Sequence, residues 1–156
     1  MEVRQDSEVD AAPARRQPHG VGGWLAVFFV TLGGITPAML IYGVVDLQRN
    51  TLAELAYGEA LRAIVRFEWC TALLVSAACW LAVARMWLVR RQSSVRLTLI
   101  VLWTLPLVTI VIEPAGVALI SGESFGALLA AAGIGLLRPL LYAALWTAYL
   151  TSSVRV

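Results

Sequence analysis

The chain has 156 residues, of which 60% are hydrophobic and 14% charged, with a formal net charge of +2 and a mean hydropathy of +0.79. Soluble domains run at about 45–50% apolar and about 25% charged. These values exclude a soluble globular domain, leave room for one small bundle, and, with no basic stripe on the chain, exclude nucleic acid as a partner.

Residues 1–20, MEVRQDSEVDAAPARRQPHG, are polar and hold two prolines, which predicts a disordered cytoplasmic tail. Residues 21–156 form the membrane domain. Its first span is expected over about 23–45, long enough to cross the hydrocarbon core, which takes about 20 residues. Trp24 and Tyr42 sit near its two ends as interfacial anchors, and Gly33, Gly34 and Pro37 interrupt it. In residues 46–68, Thr51 to Glu54 matches a capping box, and apolar and charged residues fall on different faces. The expectation is a short amphipathic helix on the outer membrane surface, with a solvated linker helix as the alternative.

The second span is expected over about 69–89, with Trp69 and Trp87 as anchors. Cys70 and Cys79 lie on it too far apart to bridge, and read as packing residues. The third span, about 97–120, carries Pro106, Glu113 and Pro114. The turn SGESFG forces an antiparallel hairpin into the fourth span, about 127–150. The fold class is thus all-α, an integral membrane bundle of four transmembrane helices.

Arg4, Arg15, Arg16, Arg90, Arg91, Arg96 and Arg155 fall on one side of this layout, against Arg49, Arg62 and Arg66 on the other. Basic residues near the spans mark the cytoplasmic side, so both termini are expected in the cytoplasm. Every basic residue is Arg, a bias that fits a GC-rich bacterium and hence a bacterial inner membrane.

Two charges fall inside spans. Arg138, between leucines in GIGLLRPLLYAALW, lies about 17 Å below the outer end of its span by helix rise. An isolated Arg there costs roughly 2.5–3.5 kcal/mol on insertion scales. Glu113 lies roughly 10 Å deep on the neighbouring span. The expectation is a Glu113–Arg138 pair facing the bundle interior. It serves either to fix register and packing, or as a site for an anion, a lipid headgroup or a proton. Each precedes a proline, as Glu113-Pro114 and Arg138-Pro139, and a proline leaves the carbonyl four residues back without its N–H.

No residues point to catalysis. His19 is the sole histidine and lies in the tail, and Ser76 and Thr104 have no evident base. No cofactor and no metal site is expected, because Cys and His do not cluster.

GVGGWLAVFF opens the first span, and LRPLLYAALWTAYLTSSVRV closes the chain. This pattern resembles the small bacterial inner-membrane proteins grouped as domain of unknown function 2569. Their signature falls here on Gly20, Gly22, Gly23, Trp24 and Leu25, then on Trp146, Tyr149, Ser153, Arg155 and Val156. Arg138 stands where the family tends to place an arginine. The resemblance implies a four-helix inner-membrane fold and no established activity. The functional expectation is a non-enzymatic membrane accessory or interaction protein, working in the lipid bilayer with a membrane-protein partner or as a homo-oligomer. The alternative is a small homo-oligomeric transporter or exporter with an intramembrane Glu/Arg site.

Overall fold

The computed structural model describes residues 23–51, 58–89 and 92–153. The expected tail, the signature glycines Gly20 and Gly22, and Arg155 and Val156 lie outside them. Four helices are long and apolar enough to cross a membrane: α1 (Gly23–Asn50), α2 (Glu59–Leu88), α3 (Gln92–Ser121) and α4 (Phe125–Ser152). A helix is the open-chain solution that satisfies every backbone N–H and C=O without water, so long apolar runs adopt it in lipid.

Each helix outruns the apolar segment that predicts it. Hydrocarbon thickness limits the apolar run, but nothing in the flanking residues breaks the helix. Asp46–Asn50 continue α1, where the Asn50 amide donates to the Asp46 carboxylate at 3.1 Å. Thr51 closes that helix, its hydroxyl donating to the Leu47 carbonyl at 2.7 Å; the rest of the capping box expected to open a helix there falls on residues outside the described ones. Residues Glu59–Glu68 open α2 behind an extended Gly58. Both ends of the expected surface helix therefore belong to spans, while its middle, 52–57, lies outside the described residues.

The core joins all four helices. Phe28 and Leu32 of α1, Cys79 and Ala82 of α2, Leu102 of α3, and Ala143, Trp146 and Leu150 of α4 pack as one cluster. Trp146 sits 4.7 Å from the Phe28 ring and 5.7 Å from that of Tyr149. The opening and closing signatures of the sequence thus meet around one tryptophan. Large side chains elsewhere point outward, among them Leu74, Leu119 and Ile134. Lipid is their solvent, so their exposure costs nothing.

α2 is the best covered helix and α4 the least. Close approach of α2 and α3 depends on Gly116, because a Cβ there would overlap the Phe67 ring. Ser124 caps the start of α4, its hydroxyl accepting from the Ala127 N–H at 3.2 Å.

Candidate functional site

Three of the four spans depart from α geometry in their interiors. α1 widens to a π turn at Thr31–Ile35 and α3 at Val108–Ile112; α4 tightens to a 3-10 turn at Gly133–Leu136. Each departure ends two or three residues before a proline: Pro37, Pro114 and Pro139. A proline ring crowds the carbonyl four residues earlier and offers it no N–H, so the preceding turn must open or shift. In α4, Gly133 supports the change with φ at 51°, a conformation that costs glycine little.

Some of the displaced bonds are recovered by side chains. Pro37 leaves the Gly33 carbonyl without its usual N–H, and the Trp80 indole of α2 donates to it at 2.8 Å. The Thr36 hydroxyl donates to the Thr31 carbonyl at 2.8 Å, and that of Thr31 to the Phe28 carbonyl at 3.0 Å. Tyr142 of α4 reaches across to donate to the Thr31 oxygen at 3.2 Å. On α3, the Thr109 hydroxyl turns back to the Leu105 carbonyl at 3.0 Å.

The three irregular turns border one groove of about 440 Å³. α1 gives it Thr31, Ile35, Thr36, Met39 and Leu40; α3 gives Leu105 and Thr109; α4 gives Gly135, Leu136, Arg138, Pro139 and Tyr142. Because α1 and α4 run antiparallel, Thr31 and Tyr142 share one end of the groove. Met39 and Leu40 share the other with Gly135 and Leu136. Arg138 stands between, halfway along α4. Exposed Ile35, Met39 and Arg138 show that the groove opens sideways onto the lipid-facing surface.

The structure does not bring Glu113 and Arg138 together. Among the described residues the Arg138 guanidinium has no ion pair and no hydrogen bond, and neither has the Glu113 carboxylate. Glu113 lies outside the groove, on the part of α3 that packs against α2, and the charge that acts on it is Glu68 of α2. The physical reason is the π turn at Val108–Ile112, directly before Glu113. A π turn adds a residue to the helical circuit, which rotates everything beyond it by about 100° relative to an uninterrupted α-helix. Depth along the helix survives such a change; facing does not.

The groove hydroxyls, Thr31, Thr36, Thr109 and Tyr142, were not among the candidate residues of the sequence reading. The signal for them is proximity: each lies within six residues of a proline inside a span. Of the signature positions, Trp146 is buried, Tyr149 packs on it, and Trp24 is exposed at the start of α1. They build the bundle and do not line the groove.

Among the described residues there is no cluster of three or more His, Cys, Asp or Glu that could hold a metal ion. What the groove offers is a fixed cation with hydroxyls and apolar walls, suited to a group of negative charge attached to an apolar body. No curated protein and no solved structure matches the chain. The family described as Protein of unknown function (DUF2569) matches it over residues 18–156, and the chain belongs to that family.

Proposed function

We propose that this member of the DUF2569 family is a non-enzymatic, multi-pass membrane protein whose working site is the Arg138 groove, where it holds an anionic ligand within the bilayer. One observation carries this reading. An unpartnered guanidinium halfway along a span lines a groove that opens to lipid. Such a charge costs roughly 2.5–3.5 kcal/mol when isolated, and no described residue offsets it. A bound anion would.

The host membrane in this reading is a bacterial inner membrane, with both termini in the cytoplasm. The support is the arginine distribution: Arg90 and Arg91 fall between α2 and α3 in the sequence and Arg96 in the first turns of α3, while Arg49, Arg62 and Arg66 lie towards the opposite ends. The non-enzymatic role rests on the chemistry of the chain, whose sole histidine, His19, precedes the first span. The bilayer is its medium, and a further membrane protein or a second copy is its company. A carrier is the second reading, favoured by the three interrupted spans around a mid-span site, an arrangement that ligand-moving membrane proteins use.

Native mass spectrometry of the protein released from nanodiscs of its own membrane lipids tests the reading. The expected result is one anionic adduct per chain, lost on Arg138→Leu. Identical adducts with and without Arg138, or complexes with other polypeptides alone, would refute it.

A further inference from the structure

Resting on the reading of the Arg138 groove as an anion site, we propose that its occupant is the phosphate head of an anionic membrane lipid in passage between the two leaflets. The head would engage Arg138 while its chains stay in the surrounding bilayer.

Four observations lead there. First, the site opens sideways: Ile35 and Met39, which line it, are exposed on the surface that faces lipid. A ligand reaching it from the bilayer needs no aqueous route. Second, Arg138 stands halfway along α4, where no lipid head resides at rest. A head found at that depth is one that is crossing.

Third, charge selects the head. A carboxylate brought into an apolar medium neutralises by taking up a proton, and then gains nothing from a fixed cation. A phosphodiester stays ionised and matches the planar guanidinium with two parallel hydrogen bonds. A zwitterionic head would bring a second cation beside Arg138, so a lipid of net negative charge is preferred. Fourth, the walls are graded. Thr31 and Tyr142 already bond to one another at one end, 3.2 Å apart, and Thr36, whose hydroxyl donates to the Thr31 carbonyl, lines the groove with them. Met39, Leu40 and Leu136 at the other end give an apolar wall for a chain. The groove, at about 440 Å³, is the size of a site for one small group and is too small to enclose a whole lipid.

The test uses the full chain in unilamellar phosphatidylcholine vesicles containing a trace of phosphatidylglycerol with a fluorescent tail. Dithionite added outside bleaches only probe that reaches the outer leaflet. With the protein, bleaching is expected to run past the outer-leaflet share towards all of the probe. Arg138→Leu should slow this phase by about a hundredfold, the rate equivalent of losing the charge match. Arg138→Lys should be intermediate. Ile35→Trp fills the groove without touching the charge, and should block transfer if Arg138→Leu fails to fold. Tailed phosphatidylcholine should move more slowly than phosphatidylglycerol.

Equal, Arg138-independent movement of both probes would mean a bilayer defect and overturn the proposal. Inhibition by millimolar inorganic phosphate would mean a site for free anions and overturn it too. A second copy seated on the groove, seen as a cross-link through a cysteine placed at Met39, would do the same. An anionic adduct lost on Arg138→Leu, with no accelerated transfer, would leave the anion site standing and remove only the leaflet passage.

Discussion

Arg138→Leu separates the observed geometry from the expected pair through stability alone. Were Glu113 and Arg138 paired inside the bundle, removing one partner would strand the other and cost about 3–5 kcal/mol. In the structure neither group touches the other, and the guanidinium has no bond to any described residue. Substitution therefore breaks nothing inside the fold. It removes an unmatched charge from an apolar surface, whose cost of roughly 2.5–3.5 kcal/mol is the ceiling on the gain. The expected outcome is a change between zero and that ceiling, in the stabilising direction. The assay is reversible unfolding in uncharged maltoside micelles, where no phosphate is present to reward the arginine. Glu113→Gln alone and the double variant complete a cycle. The two changes should add within about 0.5 kcal/mol, as independent sites do. A loss above about 2 kcal/mol on Arg138→Leu, with a coupling above about 1 kcal/mol to Glu113, would refute the geometry.

Trp80→Phe keeps the ring but leaves the Gly33 carbonyl, already deprived by Pro37, without its donor at 2.8 Å. Unfolding in micelles should become easier by about 0.6–1.7 kcal/mol, the range for such bonds between membrane helices; no change would mean that water or lipid replaces the indole. Gly116→Ala drives a methyl into the Phe67 ring and should cost about 1–3 kcal/mol. Phe67→Leu should restore most of it, which a loss of helix propensity alone would not explain. Trp146→Ala empties the centre of the aromatic cluster around Phe28 and Tyr149, for an expected loss of about 3–5 kcal/mol by the same assay. Cys70 is exposed and Cys79 buried. A maleimide should therefore modify Cys70 in the folded protein and reach Cys79 only after unfolding, read by mass spectrometry of the peptides.

How much of this was legible in the sequence depends on which quantity is asked for. Hydropathy runs located all four spans, because a long apolar segment has one stable fate in lipid. Their ends were drawn short at Asp46–Asn50 and Glu59–Glu68, since polar residues stop an apolar run without stopping a helix. The depth of Arg138 followed from counting residues along α4. The partner of Glu113 did not follow, because partnership needs the azimuth of each side chain. Counting residues gives depth alone, and facing does not carry through an irregular turn such as Val108–Ile112. Glu68 escaped notice for a related reason: as part of an expected surface helix it stood outside the membrane, whereas in α2 it comes within electrostatic range of Glu113.

The prolines carry more information than a prediction of kinks. A proline within a helix costs about 3 kcal/mol in lost bonding and crowding. Pro37, Pro114 and Pro139 each incur such a cost on a different span, and the irregular turns before them all border the same groove. Scattered prolines would bend helices at unrelated places. Three that converge turn backbone and hydroxyls toward a single point, and Arg138 stands directly before one of them. Part of the cost is recovered locally, by Trp80 at the Gly33 carbonyl and by Tyr142 at Thr31. No described residue offsets the guanidinium. Where the described backbone irregularities find side-chain partners within the fold, a cation halfway along a span that finds none among the described residues is the point at which something from outside the chain is needed.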